Sequence, residues 1–140
     1  MTDDDQDRDP ALQFAALCHR RGRKGREVLL VTSSRGRWIL PKGWPIDGQH
    51  PRQTALQEAW EEAGVKRGKP SKSALGSFES IKRFDDGEEI PCEIKVFEIK
   101  VQSMSKVFPE VKKRKRAWVS PKKAAKMIGD PALRDVFSML

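Results

Sequence analysis

Three glutamates, Glu58, Glu61 and Glu62, lie close together in a run of good helix formers. At about 100° per residue, Glu61 and Glu62 fall about 60° and about 40° to either side of Glu58, so a helix would carry all three on one face. Ala55, Leu56, Ala59, Trp60 and Ala63 gather on the other side. A solvated face can look like this, but two costs argue against it. Glu58 and Glu62 are a like-charge i,i+4 pair with no base interleaved, and all three acids sit near the partially negative end of the helix, each effect worth a few tenths of a kcal/mol. A bound cation relieves both. Clustered carboxylate oxygens suit a hard divalent ion such as Mg2+, with Mn2+ as a possible substitute, which takes a few carboxylates and completes its shell with waters and phosphate oxygens.

The elements that must position these acids can be read from either side. Pro51 suits a first helical turn and Gly64 the left-handed position after the last, which predicts a helix over 51–63. Before it, apolar runs over 12–19 and 27–32 predict a hairpin around a basic, glycine-containing turn, and 37–40 a short extended piece ended by Pro41. Residues 42–50 read as a loop. After the helix, 66–73 reads as a basic connector, and 74–84 with 90–101 as a second hairpin around DDGE. Ser120 with Pro121, and Asp130 with Pro131, are two further helix starts.

Composition bounds the function. A chain of 140 residues, 34% charged and 37% hydrophobic, fits one globular domain. No apolar run approaches the roughly 20 residues of a membrane helix, and the acidic opening lacks the pattern of a secretory leader, so a cytoplasmic location without membrane contact is expected. Cys18 and Cys92 are too few for a disulfide framework and read as small buried residues, while His19 and His50 read as incidental. Five aspartates and one arginine give residues 2–9 a net −4, so the remaining chain carries +12 against a total of +8. A body this basic favours anionic partners. Residues 1–10 are expected to be a flexible acidic tail ahead of a single domain over 11–140.

At this point the residues resemble a known signature. The segment 43–65, GWPIDGQHPRQTALQEAWEEAGV, is similar to that of the Nudix hydrolases: glycine, five residues, Glu, seven residues, Arg-Glu, an aliphatic, any residue, Glu-Glu, any residue, glycine, an aliphatic. Gly43, Glu58, Ala59, Glu61, Glu62, Gly64 and Val65 fall in register; Gln49 stands at the first Glu and Gln57 at the Arg. VLLVTSSRGRWILPKGW, GSFES and RAWVS look most like the branch acting on diphosphoinositol polyphosphates and diadenosine polyphosphates.

The resemblance implies an α/β fold, an α/β/α sandwich around a mixed sheet, holding Mg2+ against a pyrophosphate. Glu58 and Glu62 correspond to principal metal ligands, Glu61 to a further ligand or water-organising carboxylate, and the Gly43 carbonyl to another ligand. The implied reaction is attack of water on a phosphorus of a polyphosphorylated small molecule, with Glu58, Glu61 or the strand-borne Glu79 taking the proton. Glu93 and Glu110 are further candidate acids; Glu98 is assigned to solvent. For the phosphates, the cations Arg20, Arg35, Lys42, Arg114 and Arg116, with Ser34, are the candidates, whereas Lys112 and Lys113 read as solvated. Trp38, Trp44 and Trp118 are available for stacking, with packing as the default. Two alternatives remain: a noncatalytic or weakly active nucleotide- or RNA-binding module, in which Gln49 and Gln57 have weakened turnover, and an RNA 5′ pyrophosphohydrolase. A nucleic-acid partner is not favoured.

Overall fold

Strand β1, Ala11–Gly22, is buried on both faces, with Phe14, Ala16 and Cys18 turned one way and Ala15 and Leu17 the other. A strand covered on both sides has no reason to alternate with polar residues, which is why its sequence is a continuous apolar run. The computed structural model describes residues 11–140, so the expected acidic tail lies outside the described residues. Within them, β1 pairs antiparallel with β2 (Gly25–Thr32) and parallel with β7 (Glu89–Met104), from Ala11 opposite Cys92 to His19 opposite Lys100. The sheet is therefore mixed.

Its order is β3 (Trp38–Ile39), β2, β1, β7, β5 (Val65–Pro70), with three strands attached off this path. Strand β4 (Lys42–Gly43) adds to β1, β6 (Gly76–Arg83) to β7, and β8 (Arg116–Val119) to β2. Helix α1, Pro51–Ala63, packs on one face; α2, Pro121–Ile128, and α3, Pro131–Phe137, pack on the other. This is the expected α/β/α sandwich. The capping signals behave as their chemistry requires: Ser120 Oγ accepts from the Lys123 amide at 3.1 Å and Asp130 Oδ1 from the Ala132 amide at 2.9 Å.

Two segments differ from expectation. The basic connector after α1 is strand β5, antiparallel to β7 with register shifts around Arg67. Its lysines and arginine face solvent on a sheet edge, where charge protects against further pairing, and Gly68 lies flat against Ile99 where a Cβ would collide. Residues 42 and 43, read as loop, pair with Ala15 and Phe14, and the turn before them is pinned by the Ala16 amide donating to the Pro41 carbonyl at 2.8 Å. His19 and Glu98 are not idle either. His19 Nε2 lies 2.7 Å from Glu98 Oε1, and burial pushes the imidazole pKa down while Glu98 pulls it partly back. The expected burial of both cysteines holds; burial alone pushes the Cys18 thiol up to about 12.

Helix α1 meets the sheet through Ala55, Ala59 and Ala63, all fully buried. Small side chains let the helix axis come close, so a larger residue has nowhere to go. Ala59→Leu should lower the unfolding free energy by about 1–3 kcal/mol in urea titration; an unchanged midpoint would show slack between helix and sheet.

Candidate functional site

Helix α1 ends at Gly64, whose φ of +75° closes the last turn and whose amide donates to the Trp60 carbonyl at 3.0 Å. A Cβ there would strike Arg116 and Phe108, so the position needs glycine for conformation and for space. The Arg116 guanidinium stacks 4.8 Å from the Phe108 ring centroid and donates to the Ala63 carbonyl at 2.8 Å. It thus sits at the negative end of the helix that carries the acids. Arg116, expected on phosphate, is committed to this helix end.

The face of α1 toward β4 carries Glu58 and Glu62. Glu62 is 4% exposed, and burial first, then Glu58 and Glu110, pushes its carboxyl up to about 8 against the pull of Arg114. Glu58 and Glu62 lie against each other, and burial raises the Glu58 pKa as well. Glu62 Oε1 is buried without a hydrogen-bond partner; Arg114 Nη2 lies 3.4 Å away. The Glu58 carboxylate rests on Gly43, in the space a Cβ would fill, which explains why the short strand β4 presents glycine here. Its neighbour Lys42 is drawn to Glu62, and burial pushes the Lys42 pKa down.

Arg114 is the hub of the cluster. Its Nε and Nη2 donate to Glu110 Oε1 at 3.0 and 2.9 Å and its Nη1 to the Thr32 carbonyl at 2.7 Å. Thr32 binds the neighbouring chain in turn, its Oγ1 accepting from the Lys115 amide at 2.9 Å. Glu110, whose amide donates to the Glu61 carbonyl at 3.0 Å, is thus the acid brought in from outside the helix. Glu79 is exposed on β6, opposite Glu93 on β7, and neither is among the charges acting on Glu58 or Glu62.

Arg20 is not brought to the site. It lies six residues, about 20 Å of extended strand, from the Phe14 position that pairs with Gly43. There its Nε donates to Glu27 at 2.9 Å and its guanidinium stacks 4.0 Å from the Trp118 ring. Ser34, by contrast, lines a cleft of about 410 Å3 with Lys112, Lys113, Arg114 and Lys115. Arg35 is exposed in the same turn, its amide donating to Ser33 Oγ at 3.3 Å. Lys112 and Lys113, read as solvated, are exposed as expected and also line this cleft. A second cavity of about 330 Å3 shares Gly36 and Trp38 with it and is lined by the apolar Leu40, Phe78, Ile94 and Met127 together with Arg37, Lys42, Ser80 and Asp130.

The donor set fits a magnesium-type ion. Among the described residues no group of three or more His, Cys, Asp or Glu side chains is placed so as to hold a metal ion, so the expected trio of Glu58, Glu61 and Glu62 is not gathered into one donor set. Magnesium needs fewer, taking one or two carboxylates and leaving positions for water and phosphate. Glu58 and Glu62 supply hard oxygens of that kind, and the orphaned Glu62 Oε1 is a buried acceptor that a cation would satisfy.

Until then the buried acid weakens the fold. The Glu62 pKa of about 8 lies above its ordinary 4.5, so its contribution to stability is present below 4.5 and is lost as pH rises through 8. In EDTA, Glu62→Gln should match the wild type near about pH 5 and resist urea better near about pH 8. A variant weaker than wild type at the higher pH would show that the ionised carboxylate is well satisfied.

Comparison with known proteins agrees with this architecture. The chain is 49% identical over 67 residues to diphosphoinositol polyphosphate phosphohydrolase 3-beta of Bos taurus, an alignment spanning 46% of this chain and 39% of that protein. It is 31% identical over 113 residues to Nudix hydrolase 16, mitochondrial, of Arabidopsis thaliana, spanning 78% of this chain and 62% of that one. The chain thus aligns with less than two thirds of the length of these relatives. Its fold matches the crystal structure of C. elegans Ap4A hydrolase with a TM-score of 0.69 at 16% identity, over 94% of this chain and 96% of that one. The NUDIX domain model matches residues 11–140, and the chain belongs to the Nudix family.

Proposed function

We propose that the chain is a metal-dependent hydrolase that cleaves a phosphoanhydride bond in a polyphosphorylated small molecule by attack of water on phosphorus. The observation that carries this reading is the buried Glu62 oxygen beside Glu58, without a hydrogen bond and 3.4 Å from the Arg114 that lines a cleft with three lysines. Glu58, Glu62 and the Gly43 carbonyl would hold Mg2+, with Mn2+ as substitute and Glu61 as a further ligand or water-organising group. The ion supplies positive charge to the phosphate oxygens and acidifies water. Glu58 or Glu61 accepts the proton as the new oxygen–phosphorus bond forms and the bridging bond breaks; Glu79, exposed on β6, is the less favoured base.

Arg114 carries out a task different from simple phosphate binding. Tied to Thr32, Glu110 and Glu62, it holds the carboxylates in place, and the chain offers Lys112, Lys113, Lys115, Ser34 and Arg35 to the phosphates. Lys42, with Arg37, Ser80 and Asp130, lines the second cavity beside Trp38 and Phe78. A wall that offers both rings for stacking and cations for phosphate suits a dinucleoside polyphosphate or a diphosphoinositol polyphosphate.

The test is a panel of dinucleoside polyphosphates, diphosphoinositol polyphosphates and 5′-triphosphorylated RNA, assayed with Mg2+ and with EDTA, with products identified by mass. Turnover should require the metal and fall by about 100-fold or more in Glu62→Gln, the scale expected when charge stabilisation is removed from a reacting centre. Equal rates in EDTA would refute the metal-dependent reaction. Tight binding of a panel member without turnover of any would support a binding module instead.

A further inference from the structure

Gln49 and Gln57, the two departures from the signature, are in contact with each other. Thr54 Oγ1 donates to Gln49 Oε1 at 2.9 Å, Gln49 Nε2 to Gln57 Oε1 at 2.8 Å, and Gln57 Nε2 to Glu61 Oε1 at 3.0 Å. The direction of this chain is set at its outer end, where the Glu61 carboxylate, which only accepts when ionised, requires the Gln57 NH2. That turns the Gln57 oxygen toward Gln49, which must answer with its NH2 and turn its own oxygen inward. There the fully buried Thr54 hydroxyl, able to donate or accept, gives its proton to that oxygen. With Gln57 reversed, two NH2 groups would face each other and an amide oxygen would oppose Glu61.

We infer that Thr54, Gln49 and Gln57 form a neutral relay of positioning residues that aims one hydrogen-bond donor at Glu61 and holds that carboxylate in the proposed metal and water site. The relay rests on the hydrolase reading for its purpose. Opposite charges at the same two positions would also be self-consistent, since an arginine at 57 has donors enough for a glutamate at 49 and for Glu61. A mixed pair is not. Gln49→Glu alone replaces the donor with a second acceptor, draws the Gln57 NH2 toward itself and turns the Gln57 oxygen against Glu61.

Four variants test this, each with its urea midpoint measured: Gln49→Glu, Gln49→Glu with Gln57→Arg, Thr54→Val and Thr54→Ser. The readouts are Mn2+ affinity by electron spin resonance, with no substrate present, and kcat and KM on any panel compound hydrolysed. Gln49→Glu and Thr54→Val should lose about 10–100-fold in Mn2+ affinity or in kcat, as removal of an outer hydrogen-bond partner does elsewhere. KM should stay within about twofold, because the phosphate-binding residues are untouched. The double substitution restores an ion pair and Thr54→Ser restores the hydroxyl, so both should recover. Wild-type values in Gln49→Glu and Thr54→Val, or no recovery in the double substitution, overturn the relay. If the wild type hydrolyses no panel compound, the hydrolase reading fails separately and the relay stands or falls on Mn2+ affinity.

Discussion

A carboxylate buried to 4% exposure and packed against a second carboxylate is the constraint around which this fold is arranged. Removing an ionised carboxylate from water costs several kcal/mol unless partners replace the lost hydration. Glu62 receives only part of that compensation, from Arg114 at 3.4 Å. Arg114 must in turn be held, which the Thr32 carbonyl and Glu110 do. The path of the chain from Phe108 to Arg116 is therefore dictated by electrostatics, whereas the rest of the sheet is dictated by apolar burial.

The scaffold brings the helix and its counter-charges together by close approach. Ala55, Ala59 and Ala63 allow α1 to lie against β1 and β5, and Gly43 lets the Glu58 carboxylate settle on the backbone of β4. The neighbouring basic residues divide the labour: Arg114 faces the carboxylates from the side and Arg116 the helix's terminal carbonyl from the end. The like-charge pair and the unfavourable helix dipole, both visible as costs on the helix alone, thus meet separate cations delivered by one loop. Arg114 reaches Glu62 Oε1 only at 3.4 Å and leaves it without a hydrogen bond.

Local signals were legible because they act over a few residues. Pro51 and Gly64 bound α1, Ser120 and Asp130 cap α2 and α3, and the turn DDGE joins β6 to β7, all through contacts within one turn of chain. Strand β5 was not legible, since VKRGKP has a composition suited to a loop and becomes a strand only because the edge of β7 offers it hydrogen bonds. Arg20 misled for the opposite reason. It has the right chemistry, but β1 carries it to the far end of the hairpin, where Glu27 and Trp118 take it up.

The sequence by itself determined the helix with its three acids on one side, the signature spacing and the basic balance, because periodicity and spacing are properties of a chain before it folds. Tertiary structure alone decided which cation serves which acid. Glu110 and Arg114 lie some fifty residues beyond the acids of α1, and Gln49 meets Gln57 only because the loop before α1 folds back along it. A side chain's role depends on what desolvates it and what faces it, and both are set by contacts between segments far apart in sequence.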